Sequence, residues 1–217
     1  FWPSCEKDFF LMPNEIEKKR KNEYNIPEEQ VVIFYSGNMH LSNVSEVTTL
    51  YEAIYLLNKQ GEKVTLLRTG KNYTDFSKSV DLSQPYYIEL GDQPLRNNIN
   101  YISISDILVQ PGIDNEFNHY RFPSKLPMFL ASGKPVVLSD TNLGLFLTDW
   151  ENCLKFVEND AEELAHKISL LIRNKLLARH IGNNGRLFAE KNFSWQKSAL
   201  GFCDFIEKTI SNETVYR

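Results

Sequence analysis

Ser124 and Lys125 stand near the front of the stretch RFPSKLPMFLASGKPVVLSD, which reads as a helix running into a buried strand. With Ser124 as N-cap, Lys125, Leu126 and Pro127 form the first turn. A proline is tolerated there because first-turn amides have no intrahelical partner. The amides that remain and the helix dipole favour an anion such as phosphate, and Lys125 adds a mobile positive charge. Pro127 removes one of those donors. The same residues describe equally well a capped helix whose Lys125 is simply solvated. Gly37-Asn38, in YSGNMHLSN, either lets backbone come close to a ligand or makes a tight turn and nothing more. Asp114, Glu116 and His119 crowd another loop, where they are acid–base candidates or an ordinary acidic surface, and His40 is open to the same two readings. Tyr120 could stack on a ring or cover a sheet edge, while Met128 and Phe129 read as core.

Other chemistries are excluded by motif. There is no GxGxxG or GxxxxGK[ST] to indicate dinucleotide or P-loop binding, and no GxSxG nucleophile elbow. The cysteines, Cys5, Cys153 and Cys203, are far apart and form no CxxC or Cys/His cluster, so no metal is expected. They read as reduced thiols. A net charge of −4 carries no basic footprint for nucleic acid. The run Lys18-Lys19-Arg20-Lys21, flanked by glutamates, reads as a solvated helix face or as a contact with a membrane or partner. FWPSCEKDFF lacks the form of a signal peptide, and no apolar run approaches the roughly 18 residues of a membrane span. The expected location is cytoplasmic, at most peripheral to the inner membrane surface. The sequons at Asn43, Asn72, Asn192 and Asn212 are then chance matches.

The elements that must position these groups alternate. VVIFYSGN, VTLLRTG, YYIELG, DILVQPG, PVVLS and CLKFV are short apolar runs, most of them ending in glycine or a polar residue. Between the first two, Val44, Val47, Leu50, Ile54 and Leu57 repeat at helical spacing, with Gly61 as a stop. Residues 93–104 repeat that spacing, 71–85 are polar and ambiguous, and the chain is helical from 160. A last helix opens at NFSWQKSA with Ser194 as N-cap. Residues 1–30 are charged and broken by prolines, and read as an arm or linker without core. The alternation predicts a doubly wound parallel α/β sheet of about six strands, with helices on both faces and ligands beyond the carboxyl strand ends.

FPSKLPMFLASGKPVVLS resembles the "PSKL-x-EY-x-A-x-GKPV" segment of group 1 glycosyltransferases, the retaining family of GT-B fold. FYSGNMHLSNVSEVTTLYEAI, YIELGD, SDILVQPG and RLFAEKNFSWQKSA are similar, in order and spacing, to its other segments, over roughly residues 30–210. The resemblance implies a Rossmann-like domain, the C-terminal, donor-binding half of a GT-B enzyme. In that frame residues 1–30 are a linker from a missing N-terminal acceptor domain or partner chain. Residues 31–192 bind the sugar nucleotide, and 193–217 form a helix crossing back to the other half. The substrate would be a nucleotide diphosphate sugar, with no cofactor, and the acceptor a glycan, lipid-linked glycan or protein. Gly37, Asn38, Ser124 and Lys125 would meet the diphosphate, and Gly91 and Asp92 would lie near the base.

Two positions depart from the family pattern. Its members carry glutamates eight residues apart around this helix, and the matching positions here are Tyr120 and Met128. Methionine cannot accept hydrogen bonds from two ribose hydroxyls, a loss of about 1–3 kcal/mol if nothing substitutes. The Arg and Lys that the family places after the first glycine are also absent from Asn38-Met-His-Leu-Ser-Asn43. Glu116 is the candidate replacement for the catalytic carboxylate, with Asp114 beside it. The alternative expectation is a degenerate, non-catalytic GT-B domain serving binding or assembly. A third is another GT-B chemistry such as sugar-nucleotide epimerisation.

Overall fold

The computed structural model describes residues 4, 5, 9 and 21–214. Its six strands, all parallel, are β1 (Val31–Ser36), β2 (Val64–Thr69), β3 (Tyr87–Glu89), β4 (Ile107–Gln110), β5 (Val136–Ser139) and β6 (Leu154–Phe156). They coincide with the apolar runs of the sequence and lie in the order β3-β2-β1-β4-β5-β6. The chain winds outward from β1 through β2 to β3, returns to place β4 on the other side of β1, and winds outward again. The crevice of a doubly wound sheet opens where that reversal parts the loops leaving β1 and β4.

Successive side chains of β1 serve opposite layers, as a pleated strand requires. Ile33 and Tyr35 point into a core shared with α1 (Val44–Lys59) and α5 (Ala161–Arg173). Val32 and Phe34 enter a second core with α2 (Asn98–Ile104) and α4 (Leu126–Ala131). A five-residue helix, α3 (Glu116–Tyr120), interrupts the stretch after β4 that the sequence presents only as loop. Its single turn is too short to show a helical hydrophobic period. The C-terminal helical region is α6 (Lys175–Asn192) and α7 (Trp195–Thr214). Asn174 separates α6 from α5 by accepting a cap bond from the Leu177 amide at 3.0 Å. Ser194 Oγ accepts from the Lys197 amide at 3.5 Å, in line with its expected capping role.

One detail differs from expectation. Phe9 and Ile26 are buried in the second core, so the first 30 residues contribute packing that a linker would not. Isolated apolar residues in a charged stretch have no period by which to be recognised. Lys18, Lys19 and Arg20 of the basic run lie outside the described residues; Lys21 is described, its Nζ donating to the Gln30 carbonyl at 2.9 Å.

Candidate functional site

A cleft of about 290 Å³ opens at the reversal point of the sheet. Tyr35, Gly37 and Asn38 line it from the end of β1, Gln110 from the end of β4, and Arg121, Ser124 and Lys125 from the approach to α4. Lys125 is its most informative residue. Its Nζ lies 4.4 Å from the centroid of the Tyr35 ring, in the geometry of a cation over an aromatic face. A Cβ at Gly37 would fall 2.5 Å from Tyr35 Oη and 2.7 Å from Lys125 Nζ. The close approach that Gly37 permits is therefore with the Tyr35 hydroxyl and with the lysine at the cleft. Burial lowers the Lys125 ammonium pKa to about 7, Arg121 and Arg68 push the same way, and Glu46 opposes them. Burial pushes the Tyr35 phenol up to about 12, so it keeps its proton.

Glu46, in the first turn of α1, lies beneath this cleft and is 2% exposed. It accepts from Asn118 Nδ2 at 2.5 Å, and Arg121 Nη2 lies 3.4 Å from its other oxygen. Burial raises the Glu46 carboxyl, while Asn118 and Arg121 pull it back down. The loop between β1 and α1 is tied across itself: Asn43 Oδ1 accepts from the His40 amide at 2.7 Å, and its Nδ2 donates to the Asn38 carbonyl at 2.9 Å. Asn43 precedes α1 without capping it, because its side chain is committed to the loop.

On the other flank, Arg68 at the end of β2 is 0% exposed. It donates to Glu89 at 2.6 Å, to Asn72 at 2.7 Å and to the Gly37 carbonyl at 3.1 Å, while its Nε is buried without a partner. The Tyr51 hydroxyl donates to the same Glu89 carboxylate. Burial works against the Arg68 charge, but Tyr51 and Glu89 together outweigh it and hold its pKa above the ordinary value. Gly70 completes this support: its φ is +124°, and a Cβ there would lie 2.2 Å from the Gly37 oxygen.

Of the residues singled out from the sequence, Gly37, Asn38, His40, Ser124 and Lys125 line the cleft together. Ser124 does not cap α4, contrary to expectation; Lys125 occupies the position before the helix, and there is no side-chain cap bond. The chain reaches α4 through a turn in which the Leu126 amide donates to the Pro123 carbonyl at 2.9 Å, one residue later than the serine suggested. Gly91 and Asp92 lie past β3, outside that lining, with Asp92 3.0 Å from Lys71. Tyr120 is 89% exposed, Glu116 is exposed in the first turn of α3, and neither lines the cleft. Met128 is 6% exposed beneath it, with Asn98 Nδ2 3.8 Å from its sulfur. Asp114 and His119 pair with each other at 2.6 Å, and His40 stacks on Tyr73 with ring centroids 4.6 Å apart.

Arg121, Glu46 and Arg68 escape the sequence reading. Arg68 left a signal, a charge inside an otherwise apolar strand, whereas Glu46 looks like any first-turn acid. Among the described residues no group of His, Cys, Asp or Glu could hold a metal ion, and no helix is long and apolar enough to cross a membrane.

The sequence matches the family described as "Glycosyl transferases group 1" over residues 30–174. An uncharacterised glycosyltransferase of Methanocaldococcus jannaschii is 29% identical over 138 residues, which are 63% of this chain and 38% of that protein. The C-terminal domain of a group 1 glycosyltransferase, LpcC of Francisella tularensis, superposes with a TM-score of 0.70 at 18% identity, covering 88% of this chain and 99% of that one. HepE of Anabaena, solved in complex with UDP, superposes with a TM-score of 0.72 at 17% identity over 96% of this chain and 56% of its own. The chain thus spans well under two thirds of the length of the curated relative. The likeness to the solved structures is one of fold. The family match, extending from just before β1 to the end of α5, decides the family: this chain belongs to the group 1 glycosyltransferases.

Proposed function

We propose that the cleft between the loops leaving β1 and β4 receives the diphosphate of a nucleotide diphosphate sugar, and that the chain is the donor-binding half of a two-domain glycosyltransferase. The observation that carries this reading is the Lys125 ammonium, brought against Gly37 at the reversal point of the sheet. A lysine whose charge is disfavoured by burial gains from an arriving anion, which restores the charged form. In transfer, negative charge accumulates on the departing diphosphate, and a fixed cation in a partly desolvated cleft stabilises it. The family membership and the UDP-bound state of a structural neighbour support the same ligand class. The acceptor domain belongs to the portion of the relatives' length that this chain does not span.

Calorimetric titration with UDP, GDP and ADP and their sugar conjugates tests the reading. We expect one nucleotide to bind with micromolar affinity and Lys125→Ala to weaken it about tenfold. The buried Met128, at the position where the family carries a glutamate, favours a second reading, a non-catalytic binding module. Absence of binding to any nucleotide by the full-length protein would decide for that module.

A further inference from the structure

We infer that Arg121 is the permanent cation of this cleft and a direct ligand to a phosphate group of its occupant, held in place by Glu46 and Asn118. The inference rests on the donor-site reading above and adds a residue to it. The starting point is a deficit: the loop after β1 presents Asn38-Met-His-Leu-Ser-Asn43, with no Lys or Arg, so a phosphate seated there needs charge from another element. Lys125 supplies one cation from the approach to α4. Arg121 lies four residues earlier and lines both this cleft and the narrower one beside it, toward Gly112 and Ser139.

The underpinning of Arg121 is built. Glu46 is almost wholly buried, and one of its oxygens is taken by Asn118, which also donates to the Ile113 carbonyl at 3.0 Å. The other oxygen is 3.4 Å from Arg121 Nη2. The carboxylate is thus fixed from α1 and from the stretch after β4 at once, and it anchors a guanidinium at the cleft wall. Two cations, Lys125 and Arg121, then face one carboxylate, and their mutual repulsion appears as part of the depression of the lysine. An anion between them relieves that repulsion. The two are not equivalent. Lys125 loses much of its charge as the pH rises above about 7, whereas a guanidinium stays charged throughout and presents a planar fork that matches phosphate oxygens.

Calorimetry on the full-length protein at pH 8, with UDP, inorganic pyrophosphate and uridine as probes, separates the possibilities. Arg121→Gln should weaken UDP and pyrophosphate about tenfold, leave uridine unchanged, and lower the slope of log affinity against log salt. Arg121→Lys keeps the charge and the pairing with Glu46 but not the fork. It should bind both anions with intermediate affinity, and it carries the test if the glutamine variant does not fold. UDP and pyrophosphate affinities within twofold of wild type in both variants would overturn the inference while leaving the donor site standing. Loss of uridine binding in parallel with UDP would also overturn it, because the residue would then act through the fold. If the wild-type protein binds neither pyrophosphate nor any of UDP, GDP and ADP, the donor-site reading fails and the inference fails with it.

Discussion

Arg68 and Lys125 flank the same Gly37 turn and both carry positive charge into the protein, yet their surroundings treat that charge in opposite ways. Arg68 is enclosed by acceptors: a carboxylate, a side-chain amide oxygen and a backbone carbonyl hold it, and its pKa stays above the ordinary value despite burial. Lys125 meets an aromatic face, and burial, aided by a neighbouring arginine, lowers its pKa to about 7. A buried cation with its partners supplied from within is part of the framework. One that lacks such an enclosing set is, in the function proposed above, the place for a ligand. The sheet places the two roles side by side, the framework at the β2–β3 flank and the opening at the β1–β4 reversal.

The largest expected effect comes from breaking the framework. Arg68→Met leaves one Glu89 oxygen and the Gly37 carbonyl without their donor and should destabilise the fold by about 2–3 kcal/mol, at the low end for a buried pair because Glu89 is partly exposed. Urea unfolding measures it, and a loss below about 1 kcal/mol would erase the distinction between the two cations.

The next effect is one of pH. The folded-state pKa of Lys125 is depressed below its unfolded value, so the unfolded chain binds more protons between pH 7 and the ordinary lysine range near 10.4. Stability attributable to Lys125 should therefore rise with pH across that window. Anion affinity should run the other way, since the bound state needs the proton. We expect UDP binding to weaken several-fold from pH 7.5 to 9.5, where the terminal phosphate, with a pKa near 6, is already ionised. Lys125→Met should bind more weakly with a nearly flat profile. A profile of unchanged steepness in that variant would assign the proton to another group.

The smallest effect concerns Ser124. A serine that capped α4 would cost about 1 kcal/mol on replacement by alanine, but α4 has no side-chain cap bond. Ser124→Ala should shift unfolding free energy by less than about 0.5 kcal/mol, and a larger loss would restore the capping role.

Much of the fold was legible because its signals are local. Apolar runs of four to six residues marked each of β1, β2, β4 and β5, and glycine or proline punctuation marked where they end. The cleft was half legible. Gly37, Asn38, Ser124 and Lys125 could be picked out because backbone freedom and a charge beside a helix are properties of short stretches. The capping assignment of Ser124 failed by one residue, since the helix start depends on how Phe122-Pro123 turns into the cleft as well as on the serine. Phe9 and Ile26 could not be assigned to the core because a lone apolar residue has no period.

By itself, then, the sequence determined the alternation of strands and helices, the family, and the presence of a lysine at the approach to α4. Only the tertiary structure decided which charges meet. Glu46 and Arg121 are 75 residues apart in the chain, and Arg68 and Glu89 are 21 apart. Their pairing follows from crossovers that return each strand to the same edge of the sheet. Whether a cation is enclosed by acceptors or left facing a cleft depends on those long-range returns, and nothing within reach of either residue along the chain encodes it.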